Sequence, residues 1–168
     1  FLIIIFPILL FSKTLTFVST QFPPYVYSEQ SKIKGFNVEI LNEIFDRMGV
    51  KIKYKILPWA RAVLMVKEGE ADAIFPFMKN KQRAKFTDYP NSFTSEPISM
   101  FALKDSSISY DGDLFKLSAF KFGRVFGYSS GKKFDKAIED KLIKIETVRS
   151  SKLNIKKLLR NRFDILVD

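Results

Sequence analysis

The chain contains no cysteine and no histidine. The first absence removes disulfides, thiolate metal sites and any thiol that could accept a lipid. The second removes the side chain best suited to general acid–base work near neutral pH and, with no paired acidic ligand motif present, makes a zinc site unexpected. No cofactor is expected. Long apolar runs are scarce as well. The stretch from Phe1 to Phe11 is apolar throughout, yet shorter than the roughly 20 residues a membrane-crossing helix needs. It reads as the core of a secretory signal peptide over residues 1–12 whose basic start is missing, with Ser12 as the small residue near a cleavage point. An uncleaved anchor is the alternative. Export without a lipid-bearing cysteine points to the periplasm of a Gram-negative cell.

What is present describes an ordered chain. Hydrophobic residues make up 46% and aromatics 15% of the sequence, enough to bury a core. The net charge of +10 is carried mostly by lysines scattered over several segments. That pattern suits a solvated basic surface, not a nucleic-acid-binding stripe.

The layout from Thr14 to Arg83 reads strand, aromatic loop, helix, strand, helix, strand, and then a basic loop. A second strand–helix–strand–helix–strand series runs from Arg124 to Val167. Gly69-Glu-Ala-Asp72-Ala-Ile-Phe75 in the first series matches Asn161-Arg-Phe-Asp164-Ile-Leu-Val167 in the second. Each begins with a residue that tolerates the left-handed conformation closing a helix, and each then places an acidic residue before an apolar strand. Helical spacing predicts one apolar face of Phe36, Ile40, Ile44 and Met48 with Leu41 and Phe45, and another of Trp59, Ala62, Val63 and Val66. In the second series Phe134, Ala137 and Ile138 begin one face, and Ile155, Leu158 and Leu159 begin another. Two copies of one α/β unit predict two lobes with a cleft between them, a geometry suited to a small solute.

In open α/β sheets ligands collect beyond the carboxyl ends of the strands. The loop after the first strand holds Phe22, Tyr25 and Tyr27 beside two prolines that stiffen it; these rings either contact a ligand or pack the loop. Pro58-Trp59-Ala60-Arg61 opens a helix. A cation there is unfavourable unless an anion is near, so Arg61 marks an anion corner or else reaches a nearby Glu or solvent. Trp59 packs between helix and sheet, with its indole edge available to a cleft. Tyr128-Ser129-Ser130-Gly131-Lys132-Lys133 forms a second such corner, with Ser129 or Ser130 as a helix cap.

The segments Phe22-Pro-Pro-Tyr25, Gly35-Phe36-Asn37-Val38-Glu39-Ile40, Pro58-Trp59, Gly69-Glu-Ala-Asp72-Ala-Ile74, Asn80-Lys-Gln-Arg83, Gly127-Tyr-Ser-Ser-Gly131 and Phe163-Asp164-Ile-Leu-Val-Asp168 occur in an order that resembles the bacterial extracellular solute-binding proteins of family 3. The resemblance covers about Thr14 to Asp168. It implies an α/β, type II periplasmic-binding-protein-like fold of two βαβαβ lobes joined by a hinge, here with the C-terminal part missing: lobe one over 13–103 and an incomplete lobe two over 104–168, with an unpaired sheet edge. It implies an amino-acid receptor, not an enzyme, that works as a monomer with a small carboxylated solute and an ABC permease in the inner membrane as partners. Arg83 matches the residue that grips a ligand carboxylate in a two-pronged salt bridge. Asn80 stands where a Thr touches the same carboxylate. Phe75, Phe77 and Met78 lie on the strand end whose backbone meets the ligand amino group. Ser130, Gly131 and Lys132 match the second-lobe contact, with Lys132 in place of a hydroxyl, which implies a more acidic ligand or a changed contact. Asp168 stands near the acidic residue for the ligand ammonium. Asn37 replaces an Asp as a helix cap. The sensor region of a membrane signalling protein and a periplasmic lyase of the same fold remain open; for the lyase, Glu29, Asp88 and Glu96 are candidate groups without a recognisable catalytic spacing.

Overall fold

The structure, a computed structural model, describes residues 14–168. The apolar run read as a signal peptide lies outside them. Contacts divide the chain into two compact units. One comprises the chain up to Leu57 together with Arg61–Pro76, and the other comprises Pro58–Ala60 with Phe77–Asp168. The expected boundary after Leu103 is not where this division falls.

The first unit grows from two parallel strands, β1 (Thr14–Ser19) and β4 (Lys51–Ile56), in register from Thr14 opposite Lys51 to Ser19 opposite Ile56. The Lys-Ile-Lys-Tyr-Lys-Ile run of β4 alternates as a half-buried strand must, and Ile52, Tyr54 and Ile56 pack on the core while Lys51 and Lys53 face out. Between them in sequence lie a short antiparallel hairpin, β2 (Tyr27–Glu29) with β3 (Lys32–Lys34), and the helix α1 (Phe36–Arg47). The hairpin begins at Tyr27, inside the segment expected to be an aromatic loop. The helix α2 (Trp59–Lys67) then leads to β5 (Ala73–Ile74), which adds parallel to the other side of β1. The sheet order is β4-β1-β5.

The core of this unit gathers Phe17, Val26, Val38, Leu41 and Phe75, with Phe17 edge-on to Phe45 and to Tyr54. This corrects the expected face of α1. Asn37, Val38 and Leu41 are its buried residues, whereas Phe36 is 54% and Met48 63% exposed and Ile44 is exposed too. Phe36, Ile40, Ile44 and Met48 form a second apolar stripe. Asn37 is no cap either: Gly35 holds that position, and the carbonyls of Pro24 and Tyr25 accept the first helical N–H groups of Phe36 and Asn37.

The second unit repeats the plan. Strand β7 (Lys121–Val125) lies between β8 (Lys144–Val148) and β9 (Ile165–Val167), both parallel to it, with α3 (Lys132–Glu139) and α4 (Ser151–Leu158) as the connecting helices. A further strand, β6 (Met100–Phe101), pairs antiparallel with β9 and gives the order β6-β9-β7-β8. Ser99 and Asp168 extend that ladder through two backbone hydrogen bonds. Residues expected in the first lobe thus pair with β9. Phe122, Phe134, Leu114, Leu117, Ile143 and Ile165 form the core. On α4 only Leu158 of the expected face is buried; Ile155 and Leu159 are exposed, and one turn before Leu158 the helix presents Asn154, fully buried, whose side-chain amide donates to the Gly123 carbonyl at 3.2 Å.

Candidate functional site

The loop that leaves the carboxyl end of β7 and Asp168, the residue after β9, belong with the basic loop from Phe77 to Arg83 and the start of α2 to the second unit. Arg83 begins a single 3₁₀ turn, Arg83–Lys85, and is only 7% exposed. Asn80 fixes that turn by accepting the Arg83 backbone N–H on Oδ1 at 2.9 Å. The guanidinium lies 4.4 Å from the centre of the Phe77 ring and 5.4 Å from that of Trp59, cation–π contacts that offset part of the cost of removing the charge from water. Its Nη1 donates to the Met78 carbonyl at 2.8 Å and its Nη2 to the Gly127 carbonyl at 2.9 Å. A guanidinium has five N–H donors, so these two bonds leave donors for a further acceptor. Burial lowers the Arg83 pKa, Tyr89 and Asp135 raise it, and Arg124 lowers it.

Gly127 carries a second bond on the same oxygen, from Trp59 Nε1 at 3.0 Å. Its backbone has a φ of +78°, and a Cβ there would stand 3.0 Å from Trp59 Cδ1. Both features exclude most side chains at this position. Tyr128 follows, edge-on to Trp59 at 5.4 Å. Burial and the nearby Asp168 push its phenol up to about 12. Asp168, at the end of β9, has its own carboxyl raised by burial, partly offset by a hydrogen bond from Ser151. Its Oδ1 is buried without a hydrogen-bond partner. The guanidinium of Arg83 thus lies over Trp59, and Asp168 acts on the phenol of Tyr128, the ring edge-on to that indole.

The corner at Tyr128–Lys133 differs from expectation. The helix cap of α3 is Gly131, without a side-chain bond. Three donors at this corner go to Asp135 in the first turn of α3, while the Tyr128 N–H goes to the Val125 carbonyl and Arg124 Nη1 also reaches Ser130 Oγ at 3.5 Å. Ser129 Oγ donates to Asp135 Oδ2, and Oδ1 accepts the Ser130 N–H at 3.1 Å and Arg124 Nη1 at 2.6 Å. Sequence reasoning missed Asp135. The signal was an acidic residue in the first turn of a helix preceded by glycine, which has no side chain with which to cap. Lys132 is exposed, and Lys133 donates to the Gly112 carbonyl.

The other expected site residues belong to the first unit. Phe22 and Tyr25 stack on each other at 5.3 Å. Phe75 is part of the core, and its carbonyl accepts the buried Ser19 hydroxyl. Arg61 makes an exposed ion pair with Glu70 at 3.2 Å, which is the alternative left open for it.

A profile of the bacterial extracellular solute-binding proteins, family 3, matches residues 15–164. A probable amino-acid-binding protein of Bacillus subtilis, YxeM, is 22% identical over 86% of this chain and 54% of its own length. The chain thus spans about half the length of that relative. Among solved structures, an ancestral arginine-binding protein bound to arginine superposes with a TM-score of 0.77 at 22% identity, over 92% of this chain and 69% of that one. The substrate-binding protein of an amino-acid ABC transporter gives 0.75 at 20% identity, over 93% and 70%. At such identities the likeness establishes the type II periplasmic-binding fold and nothing finer.

Proposed function

The chain belongs to the bacterial extracellular solute-binding proteins of family 3, and on that premise we propose that it captures an amino acid or a similar small carboxylated solute for an ABC importer. The observation that carries this reading is the pairing of Arg83, buried and with donors to spare, with the partnerless Oδ1 of Asp168. A two-pronged guanidinium suits a carboxylate, and an aspartate in a desolvated place suits an ammonium. Trp59, Phe77 and Tyr128 supply the apolar wall, and Asn80 and Met78 hold Arg83 in place. Phe22, Tyr25, Phe75, Arg61, Ser130, Gly131 and Lys132 are not needed as direct ligands in this reading. Capture proceeds by closure of two lobes on the solute, a motion for which periplasmic binding proteins are a standing example. The receptor works in the periplasm as a monomer and presents its loaded form to an inner-membrane permease.

Calorimetric titration with the common amino acids tests the proposal. The chain binds at least one of them, Arg83→Ala weakens that binding by at least about 100-fold, and Arg83→Lys, which keeps the charge and loses the fork, recovers only part of it. Unchanged affinity in Arg83→Ala, with the circular dichroism of the parent, removes Arg83 from the site.

A further inference from the structure

The corner between β7 and α3 holds an anion of its own. Three donors that elsewhere would serve a bound anion, the Ser129 hydroxyl, the Ser130 N–H and the Arg124 guanidinium, all end on the carboxylate of Asp135. Arg124 and Asp135 are both largely shielded, their side chains 14% and 25% exposed. The same loop supplies the Gly127 carbonyl to Arg83 and the Tyr128 ring to Trp59. Asp135 and Arg124 therefore stand beside the proposed solute site, and both act on the charge of Arg83, in opposite senses.

We propose that Asp135 is a specificity-determining residue which sets the charge class of the solute: its carboxylate occupies the loop donors and cancels Arg124, so that the site accepts one carboxylate and turns away dicarboxylic solutes. This rests on the solute-binding reading above. The argument is one of charge and of donors together. With Asp135 ionised, Arg124 is paired internally, leaving Arg83 for a single solute carboxylate and Asp168 for the solute ammonium. A second carboxylate, on an acidic side chain, would find the Ser129 hydroxyl and the Ser130 N–H already bonded and Asp135 repelling it. The exposed Lys132 does not alter this, because its charge lies in solvent, where interactions are strongly screened. The alternative of a more acidic ligand at this corner is thereby set aside.

The experiment compares the parent chain with Asp135→Asn and with the double variant Asp135→Asn/Arg124→Gln, each checked for its fold by circular dichroism. The double variant removes both members of the ion pair, so no buried charge is left alone. Two titrations are run on each protein: glutamate against glutamine, and inorganic sulfate. We expect the parent to prefer glutamine and to ignore sulfate. Asp135→Asn shifts the glutamate-to-glutamine affinity ratio toward glutamate by at least about tenfold and gains sulfate binding, the size expected of a new charge-assisted hydrogen bond. The double variant loses both gains. An unchanged ratio and no sulfate binding in a folded Asp135→Asn protein overturns the proposal, as does a gain that persists in the double variant. Should no protein bind any amino acid while Asp135→Asn alone binds sulfate, the internal-anion role of Asp135 stands, and the solute reading and its selectivity fall together.

Discussion

The two strand–helix–strand–helix–strand copies agree in their scaffold and part company in their loops. In the first, Asp72 at the entrance to β5 donates its N–H to the Thr16 carbonyl and accepts the Thr16 N–H on its side chain at 2.8 Å. In the second, Asp164 at the entrance to β9 makes the same pair of bonds with Lys121, the side-chain bond at 2.7 Å. Gly69 and Asn161, a few residues earlier, both have positive φ. This equivalence sets Phe17 against Phe122, each buried on the central strand, and Tyr54 against Ile145 on the neighbouring strand. Further along the same count, Phe22 in the first copy stands where Gly127 stands in the second. The aromatic residue closes its own loop by stacking on Tyr25. The glycine leaves a carbonyl open to two donors, Trp59 and Arg83. One duplicated frame thus carries an apolar loop in one copy and a polar, charge-handling loop in the other, as expected when function resides in loops placed by a rigid frame.

The deepest test of the equivalence is the paired phenylalanines. Phe17→Ala and Phe122→Ala should each cost about 3–5 kcal/mol in urea unfolding; a silent result in one copy would show that its central strand is not the keystone that the other copy's is. Next come the aspartate clasps. Asp72→Ala and Asp164→Ala should each lose about 1–2 kcal/mol, the same in both copies to within experimental error, because each removes one charged acceptor from a strand N–H. A large disparity between them would break the repeat at its seam. The smallest effect belongs to a feature that only the second copy has, the clamp of Glu146 by Lys121 and Lys157 on neighbouring elements. Those two partners lower the Glu146 pKa from 4.5 to about 2. A lowered carboxyl stabilises the fold above its unfolded value and ceases to do so as pH falls through the folded one. Glu146→Gln should therefore lower Tm by about 1–3 °C at pH 7, with the difference shrinking below the unfolded value and vanishing as pH falls through about 2; a constant difference across that range would show that the clamp acts by packing and not by charge.

Much of this frame is legible in the chain itself, because alternation in β4, helical spacing in α2 and α3, and the matched Asp72 and Asp164 segments each follow from one dominant period. Where two periods overlap, the reading fails. In α1 the stripes Phe36-Ile40-Ile44-Met48 and Val38-Leu41-Phe45 are both apolar, and spacing cannot say which turns inward; tertiary packing against Phe17 chooses the second. In α4 the inward turn carries Asn154, a polar residue whose burial depends on the Gly123 carbonyl, which comes from a distant strand. The site divides along the same line. Arg83, Asn80 and Asp168 enter the proposed site through the family resemblance of the segments that carry them, and the structure adds the partners of each. Asp135 is invisible to that reasoning, since its meaning lies in which donors the fold brings to it. The expected anion corner at Ser130 and Lys132 was sound chemistry, with donors gathered at a helix start, but the chain supplies its own anion.

Trp59 is the single tryptophan of the sequence, and its indole N–H ends on the same oxygen that holds Arg83. Any rotation of the Gly127 peptide must change the surroundings of both groups at once. The emission of one native fluorophore consequently reads the surroundings of the guanidinium directly, and on the proposed reading it offers a label-free signal of solute occupancy.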